Sequence, residues 1–114
     1  KPFARIDRLK IDLSKSLELW EKASNLDNED AQFMMGVFYE TGVVINQDYK
    51  KAIDLYSKAA QKGNSKAQYN LGNCYAKGKG VEKDLFKAFD WYLKAAEQGH
   101  KEATEIINRL KNTI

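Results

Sequence analysis

A period of thirty-six residues governs this chain and restricts its fold more than any other feature. Residues 31–66 laid over 67–102 give fourteen identities, among them Ala31/Ala67, Gly36/Gly72, Tyr39/Tyr75, Gly42/Gly78, Asp48/Asp84, Tyr56/Tyr92 and Gly63/Gly99. A fixed period of this length belongs to stacked-repeat architectures, in which each unit buries its apolar face only against its neighbours. The pattern continues in fragments. Asp12, Lys15, Leu17, Trp20, Lys22 and Ala23 fall one period before Asp48, Lys51, Ile53, Tyr56, Lys58 and Ala59, while Ala103 and Ile107 fall one period after Ala67 and Leu71. The expected organisation is one repeat domain over 1–114. It comprises the second half of a truncated unit at 1–30, full units at 31–66 and 67–102, and a half-unit or capping helix at 103–114. With Lys1 first, and Phe3 one period before Tyr39 near the end of a missing helix, the chain reads as a segment of a longer array or larger protein.

The only proline is Pro2, so glycines alone punctuate the repeats. From 48 to 61 the apolar residues Tyr49, Ala52, Ile53, Tyr56, Ala59 and Ala60 recur at spacings of three and four, a helix with one buried stripe. Asp48 is placed to accept a hydrogen bond from the first turn, and Asp84 and Asp12 repeat that arrangement. Gly63 and Gly99 stand where a left-handed residue closes the last turn. The other helix of each unit runs over about 64–77, with Asn64 as cap and Gly78 as stop. Gly36 and Gly72 lie inside these helices, where each costs about 1 kcal/mol against alanine, so their recurrence points to close helix approach. Two antiparallel helices per period give an all-α solenoid of about five or six helices.

The second full unit carries Ala67, Leu71-Gly72, Tyr75, Gly78, Gly80-Val81, Asp84, Lys87-Ala88, Trp91-Tyr92, Lys94-Ala95-Ala96, Gly99-His100 and Ala103. This pattern resembles the Sel-one-like repeat family, a relative of the tetratricopeptide repeats with a longer loop inside each unit. The resemblance covers about residues 12–107 and implies a right-handed α/α solenoid. The first full unit departs from it: Val44 replaces the second loop glycine, Met35 the leucine and Leu55 the tryptophan. Its loop is therefore more apolar. Ile45, which matches Val81, is expected to dock, and Val43 and Val44 either dock or lie exposed.

Members of that family act as adaptors assembling other macromolecules, which implies a protein or peptide partner, no shared catalytic activity and no cofactor. By analogy with tetratricopeptide relatives, ligand contacts come from a concave surface lined by the first helix of each unit. Phe33, Val37 and Tyr69 fall there as apolar anchors, with Glu40, Lys66, Asn73, Lys77 and Arg109 as polar neighbours. The alternative for Phe33 and Tyr69 is packing between repeats. A competing role is that of a structural spacer or oligomerisation segment, self-associating through apolar residues at its ends: Ile6, Leu9, Leu13 and Leu17 at one, Ile106 and Ile114 at the other. Ala103, Ile107 and Leu110 are expected to cover the second full unit.

Other classes find less support. A net charge of +3 with interspersed signs makes no nucleic-acid surface, and no apolar run approaches the roughly 20 residues that span a bilayer. Trp20, Trp91, Tyr56 and Tyr92 sit on buried stripes. His100, the one histidine, cannot furnish two imidazoles to a metal and suits capping or packing at its turn. Cys74, the one cysteine, lies on an apolar helix face as a small core residue. Gly78-Lys79-Gly80 lacks the spacing of a phosphate loop. No compartment follows from the sequence.

Overall fold

The computed structural model describes residues 2–113, leaving out the side chains of residues 2–4 and 6. The readings placed on Phe3, Ile6 and Ile114 therefore lie outside the described residues. Among the described residues six helices follow in order: α1 (Pro2–Asn25), α2 (Glu29–Thr41), α3 (Tyr49–Gln61), α4 (Ser65–Lys77), α5 (Leu85–Glu97) and α6 (Lys101–Asn112). Each packs mainly on its neighbours in sequence, most extensively within the pairs α2/α3 and α4/α5. The result is elongated, 54 × 33 × 27 Å, with a radius of gyration of 15.7 Å against about 13 Å for a compact chain of this length.

The helix starts follow from capping chemistry. Asn28 and Asn64 accept hydrogen bonds from the amides of Ala31 and Ala67, both at 2.9 Å. Asp48 and Asp84 accept from Lys51 at 3.1 Å and Lys87 at 3.0 Å. The stops are equally local: Gly42 and Gly78 take φ of 68° and 71°, and their amides donate to Phe38 and Cys74 carbonyls.

The exception is α1. Asp12, expected to start a helix, lies mid-helix and exposed. The position one period before Gly42 is Ile6, and no glycine occurs before Gly36, so nothing interrupts helical hydrogen bonding from 2 to 25. The glycine position that closes α3 and α5 is filled after α1 by Asp27, itself left-handed at φ 69°. Its carboxylate is held by Lys62 Nζ at 2.7 Å and Gln32 Nε2 at 2.9 Å. Those contacts hold the Asp27 carboxyl below its usual pKa, chiefly through the Lys62 hydrogen bond.

The core forms where second helices meet first helices. Tyr56, Ala52 and Ala59 of α3 are fully buried, against Leu71 and Cys74 of α4. A second cluster joins Ala88 and Tyr92 of α5 to Ile107 of α6. Both interior glycines lie against a tyrosine ring, as close helix approach requires. A methyl at Gly72 would stand 2.8 Å from the Tyr92 ring. The α4–α5 loop presses on α3: a Cβ at Gly80 would stand 2.7 Å from the Tyr49 carbonyl, and Val81 packs against the core. In the α2–α3 loop Val44 occupies the corresponding position, and a cleft of about 460 Å³ opens between Val43, Val44 and the α1 residues Leu9 and Leu13. Ile45 is half-buried like Val81, Val44 is half-buried, and Val43 stands exposed.

Candidate partner-binding surface

The residues singled out on the first helices of the units fall into two sets. Phe33 and Val37 on α2 and Tyr69 on α4 are half-buried rather than projecting. The Phe33 ring packs on Tyr56 with centroids 6.0 Å apart. Tyr69 packs on Tyr92 at 5.8 Å and stacks on His100 at 4.6 Å. Val37 leans on the α3/α4 core. The expectation of outward-facing anchors is corrected to that extent: the second helices carry large aromatic rings that reach up between first helices and draw these side chains inward. What remains accessible is one side of each.

The polar members divide likewise. Glu40 accepts a hydrogen bond from the Tyr56 hydroxyl at 2.6 Å, and Asn73 accepts one from the Tyr92 hydroxyl at 2.5 Å. Both therefore orient core tyrosines. Lys66, Lys77 and Arg109 are exposed. Burial pushes the Tyr92 hydroxyl up to about 12, and the Tyr56 hydroxyl is raised further by burial and by Glu40. These hydroxyls are structural donors, not acids.

His100 caps α6, its Nδ1 accepting from the Ala103 amide at 3.3 Å. Cys74 is buried, which pushes its thiol up to about 11 and leaves it an unreactive packing residue. Among the described residues there is no group of three or more His, Cys, Asp or Glu arranged to hold a metal. No described helix is long and apolar enough to cross a membrane. Several lysines cover aromatic faces, Lys51 over Tyr39 at 5.3 Å, Lys87 over Tyr75 at 5.5 Å and Lys94 over Trp91 at 4.4 Å.

A surface missed in the sequence lies between α5 and α6. Leu85, Phe86, Phe89, Ile106 and Leu110, with Ala76 of α4, line an almost wholly apolar groove of about 560 Å³. Leu110, expected to cover the second full unit, is 41% exposed, whereas Ile106, expected outside, packs on the α5/α6 core. Ala103 and Ile107 do the covering, both buried. The signal was available in the period. Ala76, Phe86 and Ile106 occupy the positions of Glu40, Lys50 and Asn70, so three polar positions turn apolar one period later.

The comparisons agree with this geometry. The family model described as Sel1 repeat matches residues 6–28, 29–64 and 65–100. Among solved structures, the chain is similar to a Sel1 repeat protein from Oxalobacter formigenes, with TM-score 0.76 and 35% identity over 90% of this chain and 44% of that one. It is similar to c5321, a protective antigen of uropathogenic Escherichia coli with an SLR fold, with TM-score 0.75 and 34% identity over 77% of this chain and 19% of that one. It is also similar to Helicobacter pylori cysteine rich protein B, with TM-score 0.76 and 31% identity over 82% of this chain and 70% of that one. The chain thus spans less than half the length of the first two. No curated protein matches it. Three successive repeat matches over an all-α solenoid establish that the chain belongs to the Sel1 repeat family.

Proposed function

We propose that this chain is a scaffold that holds a peptide or protein partner against the row formed by its first helices. Sel1 repeat proteins are in general non-catalytic platforms for protein–protein interaction. Phe33, Val37 and Tyr69 supply apolar contact, and Lys66, Asn73, Lys77, Arg109 and Glu40 supply polar contact around them. The observation that carries the reading is that each half-exposed ring is held by a second-helix tyrosine beneath it. Rings fixed before binding lose little conformational entropy on contact, which favours their use as anchors. Both signs of charge flank the row, so the partner is read as a mixed or amphipathic segment rather than a polyanion.

The test places a photo-crosslinking amino acid at position 69 or, as control, at exposed position 58, and compares the products formed with cell extract. A partner crosslinked at 69 and absent at 58, and lost on Lys66→Glu with Lys77→Glu, supports the row. Equal products at both positions remove it.

A second reading has its own observation. Apolar residues stand exposed at both ends of the stack, Leu9 and Val43 beside α1, and Leu85, Phe86 and Leu110 on α5 and α6. A spacer or oligomerisation segment acting through its ends would carry such surfaces.

A further inference from the structure

We infer that α5 is a self-association helix, and that two copies of this chain pair through it antiparallel about a two-fold axis. The inference rests on the second reading above and is independent of the first-helix row.

The starting observation is Phe86, which is 88% exposed although it is a phenylalanine on a well-formed helix. Phe89 is 38% exposed, and Leu93 is half-buried. These three lie at i, i+3 and i+7, the spacing of a helix-pairing seam. The same positions in α3 hold Lys50, Ile53 and Ser57, and in α1 Ser14, Leu17 and Glu21. Repeat stacking uses the middle position, since Ile53 is buried in the α3/α4 core, but leaves Lys50, at the position of Phe86, exposed. The interior unit places a solvent-facing lysine where α5 places Phe86, so a further repeat stacked in the same way would leave that ring uncovered.

The neighbouring face of α6 points the same way. Where α4 offers Gly72 and Tyr75 to its hairpin partner, α6 carries Asn108 and Lys111. A side chain at Gly72 would run into the Tyr92 ring, so Asn108 cannot receive an aromatic at that approach. The apolar surface of this region is thus confined to the α5 seam and the groove beside it.

Two features select a second copy as the occupant. The exposed Phe86 ring forms one wall of the groove of about 560 Å³, so both belong to one patch. A knob and a hole on the same surface are what an isologous interface needs, since each copy then fills the other. Flanking the seam, Lys87, Asp90, Lys94 and Glu97 are all exposed and alternate in sign. Reversing that order sets Lys87 against Glu97 and Asp90 against Lys94 of the other copy. In a parallel pair this flank would face the opposite flank of the other copy, and the four charges would not meet. The seam supplies the apolar contact and the charges fix the direction.

The experiment is light scattering on the 114-residue chain from micromolar to millimolar concentration, with Phe86→Lys and Leu9→Lys compared. Phe86→Lys installs the residue of the interior unit at an exposed position, and an unchanged circular-dichroism melt at low concentration confirms its fold. The expected result is a mass rising from 13.0 kDa to twice that value, a dissociation constant weakened at least about tenfold by Phe86→Lys, and no effect of Leu9→Lys. A dimer insensitive to Phe86→Lys but lost with Leu9→Lys overturns the α5 pairing and leaves end-mediated association standing. A monomer at every concentration overturns both.

Discussion

The Cα of Gly36 rests so closely on the ring of Tyr56 that a methyl group there would stand 2.5 Å from Cε1. Tyr56 is fully buried and cannot yield. Gly36→Ala should therefore destabilise the chain, although alanine is the better helix former by about 1 kcal/mol. Overpacking of about 1–3 kcal/mol, set against that gain, leaves an expected net loss of up to about 2 kcal/mol. Urea unfolding measures it, and a rise in midpoint would contradict the packing argument.

The Tyr56 hydroxyl donates to Glu40 and accepts from Asn70 at 3.3 Å, whereas that of Tyr92 is bonded to Asn73. Tyr56→Phe leaves a half-buried carboxylate without its donor and is expected to cost about 1–2 kcal/mol. A double-mutant cycle with Glu40→Gln reports how much of that loss belongs to the pair. Additive effects would show that the contact contributes nothing of its own.

Phe33→Ala and Tyr69→Ala each remove a ring that packs on a core tyrosine. Each should lower stability by about 1–2 kcal/mol, because most of the ring is already out of water. Charge reversals at exposed Lys66 and Lys77 should leave the unfolding midpoint nearly unchanged. Partner capture is better tested with the lysines for that reason.

Alkali should weaken the fold progressively, with Cys74 and Tyr92 marking two overlapping windows and Tyr56, raised further, adding to the loss above about pH 10. Burial raises Cys74 from 9.0 to about 11 and Tyr92 from 10.0 to about 12. Both groups are bound more tightly to their protons when folded, so the unfolded chain loses protons first as pH rises. Their contributions are complete below about pH 9 and pH 10 respectively and disappear on passing about pH 11 and pH 12. Cys74→Ala should flatten the decline between pH 9 and 10 and leave the later one in place. Urea midpoints measured across that range check it.

Asp27 holds φ of 69° where the other units use glycine. Asp27→Gly should be close to neutral, since relief of backbone strain offsets loss of an exposed, solvent-screened ion pair. Asp27→Val puts a β-branched residue at a positive φ, which adds strain, and also loses the contacts, so its melting temperature should fall below that of Asp27→Gly. Thermal melting of the two variants separates backbone from side-chain effects.

The sequence by itself determined the repeat and the helices within it. Caps such as Asn64 and Asp84, stops such as Gly78, and the close approach at Gly72 are local or periodic features, fixed by backbone chemistry within a few residues. The long α1 was legible in the same terms, because no glycine stands where the other units break; the periodic match of Asp12 to Asp48 obscured it. Tertiary structure alone decided which faces stay open. Helical spacing placed Phe33 and Tyr69 on an outward side, but rings from the following helix pack against them and draw them inward, and ring reach is not encoded in one helix's spacing. The converse holds for Phe86. The period set it apart from Lys50, but its exposure depends on what α6 and the loops leave uncovered, a property of neighbours in space.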